Sequence, residues 1–155
     1  MSDDPAPRTE IRPGPPAPNA AVLLIALGRR VGERVDARLA ELDLAYRHLS
    51  ALGHLAHEPD LSYSELGRRV GVTAQSMQAT LAQLEERRAV ERLTPGGRGR
   101  VARLRVTAEG DALRHAALAA VDEVERELLA ELPAPQREQL TALLFRLFTT
   151  EITGR

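Results

Sequence analysis

The chain has no cysteine and no tryptophan, and all 21 of its Lys-or-Arg positions are Arg. Without cysteine there can be no disulfide, no thiolate metal site and no thiol redox switch. Aromatic residues make up only 3% of the sequence, which argues against a stacking platform for single-stranded nucleic acid. The longest apolar run, 20–27, falls far short of the roughly 20 residues that span a bilayer. No basic-then-apolar leader is present, so a cytoplasmic protein is expected. No Gly-rich phosphate loop, nucleophile elbow or acidic pair in a defined context is found, so the chain is not expected to be an enzyme or to need a cofactor. The formal net charge is −1, so any nucleic-acid surface must be a local concentration of charge.

Such a concentration exists. Arg87, Arg88, Arg92, Arg98, Arg100, Arg103 and Arg105 crowd one stretch, with Glu91 the only acid among them. The stretch before it reads as two helices around a tight turn. Ser62 and Glu65 have capping-box spacing, in which each side chain satisfies an amide at the helix start. Leu66 and Val70 share a face, and Gly71 supplies the left-handed position that ends the helix. Thr73 can cap the next helix. Ala74, Met77, Leu81 and Leu84 form its buried stripe at three- and four-residue spacing. Thr73, Gln75, Ser76, Gln78 and Thr80 occupy the other face. Short uncharged hydrogen-bonding side chains of this kind suit base edges in a major groove; the alternative is an ordinary solvated face.

After that helix, 90–93 reads as a strand, Pro95-Gly96-Gly97 as a loop, and Val101, Leu104 and Val106 as the returning strand. An Arg-rich hairpin beside a recognition helix is expected to contact phosphate and minor groove. The fold class is therefore mainly α with a minor β part: a winged helix-turn-helix. Ser62, Thr73, Gln75, Ser76, Gln78, Arg98, Arg100 and Arg103 are the candidate DNA-binding residues.

The stretch 42–110 resembles the MarR family of winged-helix transcriptional regulators. The resemblance is carried by 61–72, by Leu84-Glu85-Glu86-Arg87, by Val90-Glu91-Arg92 and by Val106-Thr107-Ala108-Glu109-Gly110. The last segment is similar to the family's Leu-Thr-x-x-Gly signature, in which Thr caps the helix leaving the wing. Three departures stand out. Arg98 replaces the Asp of the family's Asp-x-Arg wing tip, while Arg100 matches its Arg. Arg88-Ala89 stands where a Gly-hydrophobic pair is usual. Ala79 replaces a larger polar or basic residue. The resemblance implies a homodimeric repressor on a near-palindromic double-stranded operator, relieved by a small aromatic or apolar acid.

The flanks fit a dimer. Segment 1–18, with Pro5, Pro7, Pro13, Pro15, Pro16 and Pro18, is expected to be a disordered arm. The remainder, 19–155, is expected to be one domain. In it, 19–45 and 108–155 are dimerisation helices and 46–107 is the DNA-binding part. Asn19 can cap a helix to about residue 42, with Leu23, Leu27, Val31, Val35, Leu39 and Leu42 in a stripe. A second helix over 46–57 turns Leu49, Leu52, Leu55 and Ala56 inward. Helix 108–132 carries Leu113, Ala117, Ala120, Val121, Val124 and Leu128. Pro135 opens a last helix bearing Leu140, Leu143, Leu144, Leu147, Phe148 and Ile152. These end helices are more apolar than one small domain requires, which favours an isologous two-fold dimer.

Tyr46, Arg47, His48 and His54 are the polar groups expected in an effector crevice between the dimerisation helices and the winged part. His54, His57 and Glu58 could be imagined around a metal, but packing histidines explain the pattern better and no metal is expected. The competing function is a winged-helix protein-interaction module. Steep salt dependence of DNA binding separates it from a regulator.

Overall fold

The computed structural model describes residues 19–59, 61–93 and 103–150. Its elements in order are α1 (Ala20–Ala40), α2 (Tyr46–His57), α3 (Tyr63–Val70), α4 (Ala74–Glu86), β1 (Val90–Arg92), β2 (Leu104–Val106), α5 (Ala108–Leu128) and α6 (Ala134–Thr149). The arm 1–18, the loop Pro95-Gly96-Gly97, Val101 and Ile152 lie outside the described residues.

Local chemistry sets most boundaries. Asn19 Oδ1 accepts the Ala21 N–H at 2.8 Å and starts α1. Ser62 and Glu65 form the expected capping box: the Ser62 hydroxyl accepts the Glu65 N–H at 3.2 Å, and the Glu65 carboxylate accepts the Ser62 N–H at 3.1 Å. Hydrogen bonds from Ser62 hold the Glu65 carboxyl below its ordinary pKa. Thr73 Oγ1 accepts the Ser76 N–H at 3.1 Å at the head of α4, and Thr107 Oγ1 accepts the Gly110 N–H at 3.0 Å at the head of α5. Pro135 sits in the first turn of α6, where its missing N–H costs nothing.

Three helix exits use one backbone device. After α3, Val72 N–H donates to Gly67 O at 2.8 Å while Gly71 adopts φ 78°. After α1, Leu44 N–H donates to Leu39 O at 2.9 Å with Asp43 at φ 53°. After α4, Ala89 N–H donates to Leu84 O at 2.8 Å with Arg88 at φ 56°. This is the Schellman closure, which needs a left-handed residue and favours glycine there. Only the α3 exit has glycine. Asp43 accepts this geometry more readily than most residues, whereas Arg88 has no such excuse.

The core lies where the end of α1, α2, α3, α4, the ribbon and the middle of α5 meet. Leu39, Leu52, Leu66, Met77, Leu84 and Leu104 have no solvent exposure. The ribbon is antiparallel and short, pairing Val90 with Val106, Glu91 with Arg105 and Arg92 with Leu104.

Several expectations are corrected. α1 ends at Ala40 and α5 at Leu128, because turns with their own hydrogen bonds follow each. Arg137 donates to Leu132 O at 2.7 Å and secures the second of these turns. Ala56 and Ala74 are exposed. Thr80 is buried, with its hydroxyl donating to Ser76 O at 2.9 Å. A Thr bonded to the carbonyl one turn back can enter an apolar stripe, so Met77, Thr80, Leu81 and Leu84 form the inner face of α4. Along α1 the stripe divides: Val35 and Leu39 are buried, but Leu23 and Leu27 are 42% and 45% exposed. α6 has no buried residue at all.

Candidate nucleic-acid interface

α3, the turn at Gly71 and α4 form the helix-turn-helix. The turn is tight because the chain passes close to Gly67, where a Cβ would lie 2.9 Å from Val72 O. Gln75, Ser76, Gln78 and Ala79 are all exposed on the first two turns of α4. No charged side chain occupies α4 before Glu85, so this surface is a row of neutral donors and acceptors. Thr73 lies beside them, and its hydroxyl hydrogen is still available because its oxygen serves as acceptor in the cap. Ser62, by contrast, is half-buried, and its hydroxyl also donates to Glu65 at 2.6 Å.

The arginine cluster does not act as one. Arg87 turns away from the wing and donates to Leu42 O at 2.9 Å and Asp43 O at 3.1 Å, covering carbonyls at the exit of α1. Arg92 bonds to the Glu85 carboxylate through Nε at 3.2 Å and lies 5.9 Å from the centre of the Tyr63 ring. That ring is partly sequestered, and burial raises the pKa of its hydroxyl. Arg105 pairs with Glu91 across the ribbon, Nε to Oε1 at 2.7 Å. Arg103, exposed like Arg87, Arg92 and Arg105, stands at the open end of the ribbon, where its carbonyl accepts the Leu93 N–H at 2.9 Å. Arg98 and Arg100 lie outside the described residues.

Sequence reasoning passed over Arg68. It sits on the outer face of α3, the helix that a helix-turn-helix lays across the phosphate backbone. The Leu66–Val70 stripe already assigned it to that face. Its neighbour Arg69 is instead held by Glu58 at 2.6 Å, which ties α3 to the end of α2. That engagement also removes Glu58 from the imagined metal group, and no three His, Asp or Glu side chains converge among the described residues.

The four expected effector residues are not brought together. Arg47 and His48 line a cleft of about 510 Å³ with Asp43, Leu44, Gln83, Glu86 and Arg87. Tyr46 is 57% exposed, and His54 is not part of that lining. The lining comes from the α1–α2 turn, the start of α2 and the end of α4. Both nitrogens of His48 are engaged: Nδ1 accepts the Ala45 N–H at 3.0 Å and Nε2 lies 2.7 Å from Gln83 Oε1. Burial is the main reason its pKa falls below the ordinary histidine value, and the charges of Arg47 and Arg87 lower it further.

No described helix is long and apolar enough to cross a membrane. Comparison with known proteins agrees with this geometry. The family profile described as the MarR family matches residues 42–100. The HTH-type transcriptional repressor Rv2887 of Mycobacterium tuberculosis (strain ATCC 25618 / H37Rv) is 35% identical over 125 residues, spanning 81% of this chain and 90% of that protein. The crystal structure of M. tuberculosis Rv2887 in complex with DNA matches with a TM-score of 0.72 at 32% identity, covering 84% of this chain and 98% of that one. The Rv2887 complex with p-aminosalicylic acid gives 0.72 at 33% identity, over 85% and 100% of the two chains.

Proposed function

The chain belongs to the MarR family of transcriptional regulators, and from that premise we propose that it is a homodimeric repressor that reads its operator with α4 and releases it on binding a small aromatic or apolar acid. The observation that carries the reading is the first half of α4, where Gln75, Ser76 and Gln78 stand exposed and uncharged behind the Thr73 cap. Gln can pair bidentately with adenine in the major groove, and Ser and Thr bond to bases or phosphates. Arg68, Arg103 and the wing arginines Arg98 and Arg100 are the phosphate contacts in this reading. Ser62 serves mainly as the cap of α3.

Residues 46–107 form the DNA-binding part of the proposal, and 19–45 with 108–155 form the dimerisation part. The support is exposure. Val22, Ile25, Phe145 and Phe148 are 60%, 71%, 65% and 87% exposed in the single chain, and α1 and α6 present them together with leucines. A second copy related by a two-fold axis covers both helices at once. It also sets two recognition helices about 34–36 Å apart, one turn of the duplex, as a near-palindrome requires.

The effector class rests on the relative solved with p-aminosalicylic acid. On this chain the polar group best suited to a carboxylate is Arg47 in the cleft, since a guanidinium binds carboxylates bidentately. Release follows if the acid prefers a spacing of the two winged parts that does not fit the operator.

Selection from a random duplex library tests the reading. The expected product is a near-palindrome whose affinity falls steeply with salt. Gln75→Ala or Gln78→Ala should then lower the preference for that site over random DNA, by about 1–3 kcal/mol for a lost bidentate contact. An unchanged preference in both variants would show that α4 does not read bases.

A further inference from the structure

Two polar side chains are buried among the described residues, Thr80 and His48. Thr80 bonds within its own helix, whereas His48 joins two elements 35 positions apart. Its Nδ1 accepts the N–H of Ala45, the residue at the head of α2, which has no side chain to cap that helix. Its Nε2 faces Gln83 on α4, with which it shares a 2.7 Å bond. One imidazole thus closes the first turn of α2 and restrains the recognition helix.

The polarity of both bonds is determined. A nitrogen that accepts an N–H cannot carry a proton, so in this arrangement the proton is on Nε2 and is donated to Gln83 Oε1. An imidazolium has N–H on both nitrogens and would point one of them at the Ala45 N–H. The ring must then turn and give up a partner. Arg47 on α2 and Arg87 just after α4 face the ring and oppose a third cation. Asp43 on the preceding turn and Glu86 on α4 line the same cleft, where carboxylates can receive a ring that has turned outward. The cleft is open to solvent, so protons reach the site.

We propose that His48 is a positioning residue for DNA binding: it holds α4 through Gln83 while its ring is neutral and lets go when the ring is protonated, so that operator affinity declines in mild acid. This rests on the DNA-binding reading above. The operator-bound protein requires the neutral ring, so below the His48 pKa of the free protein each binding event expels a proton. Affinity is level above that pKa and falls below it, by at most about tenfold per pH unit for one proton. Burial lowers the pKa of this ring and so moves the range toward acid.

Two substitutions divide the two bonds. In His48→Asn the amide oxygen occupies the place of Nδ1, which keeps the Ala45 bond and loses Gln83. In His48→Gln the amide nitrogen occupies the place of Nε2, which keeps Gln83 and loses Ala45. Neither side chain titrates. Affinity of the full chain is measured for the selected operator and for a random duplex of equal length, from about pH 5 to about pH 8. Thermal unfolding at each pH establishes that the protein is folded. The wild type should lose operator affinity toward acid, and His48→Gln should give a level profile. His48→Asn should also be level, with a lower operator-to-random ratio at every pH. Gln83→Ala should abolish the pH dependence in the wild-type background. His54, His57 and His115 are common to all variants and cancel in the comparison.

The proposal is overturned if wild type and His48→Gln share one pH profile. It is equally overturned if His48→Asn melts earlier yet keeps the wild-type operator-to-random ratio, since His48 would then serve stability alone. A wild type that selects no operator at any pH removes the DNA-binding reading itself, and this proposal with it.

Discussion

Gly110 stands so close to Ala89 that a Cβ on it would lie 1.9 Å from the Ala89 carbonyl oxygen. The same carbonyl accepts the Thr107 N–H at 3.1 Å, and the Thr107 hydroxyl donates to Arg88 O at 2.6 Å. The exit of α4 is therefore fastened to the entry of α5. This gives the Thr107 to Gly110 spacing its physical meaning: Thr joins and caps, and Gly makes room three residues later.

Gly110→Ala should consequently be severe. The clash is with backbone, which cannot yield as a flexible side chain can, and overpacking of this kind costs about 3 kcal/mol or more. Thr107→Ala should cost about 1–2 kcal/mol through the lost cap. Chemical denaturation measures both. A Gly110→Ala protein as stable as wild type would mean that α5 does not rest on Ala89.

Arg88→Gly should have the opposite sign. Arg88 occupies the left-handed region at φ 56°, where a Cβ costs roughly 1–2 kcal/mol. Glycine removes that strain but brings a more flexible unfolded chain, so the net gain should be about 0.5–1 kcal/mol. Arg88→Ala, which keeps the Cβ, should show no such gain. Equal stability of the Gly and Ala variants would contradict the strain argument.

Oligomeric state tests the exposed helices. Sedimentation at micromolar concentration should report twice the 16.9 kDa chain mass. Leu144 and Leu147 are 42% and 57% exposed on α6, which lacks buried residues of its own. Aspartate at either position would bury an unpaired charge in the dimer but not in the monomer. Leu144→Asp or Leu147→Asp should therefore sediment as a monomer with its helix content retained. A variant that remains dimeric would place the interface elsewhere.

Salt titration distinguishes the arginines. Arg92 is held by Glu85 and the Tyr63 ring, so Arg92→Ala should weaken operator binding without changing the salt slope. Arg68→Ala and Arg100→Ala should each lower the slope by about one, as expected for a lost phosphate contact. A reduced slope for Arg92→Ala would show that DNA draws it away from Glu85.

The sequence by itself determined the helix starts at Asn19, Ser62, Thr73 and Thr107, the α3 exit at Gly71, and the ribbon that follows α4. The helix boundaries depend on partners within a few residues, so spacing alone reveals them; the ribbon, whose pairs such as Val90 and Val106 lie farther apart, is announced instead by the Pro95-Gly96-Gly97 loop motif between two apolar runs. It also determined which face of α4 presents Gln75 and Gln78, because helical periodicity sorts most positions without knowledge of the neighbours. Only the tertiary structure decided what the intermediate positions do. Ala74 and Thr80 exchanged places because burial depends on what lies opposite and on whether a hydroxyl finds a carbonyl. The arginine cluster looked uniform, yet Arg87 reaches a turn some 45 positions earlier, and Arg92 and Arg105 meet carboxylates brought close by folding. His48 and Gln83 likewise carry no local signal of their bond. A charge or an imidazole is indifferent to its partner's place in the chain, and only chain closure determines which partner comes within 3 Å.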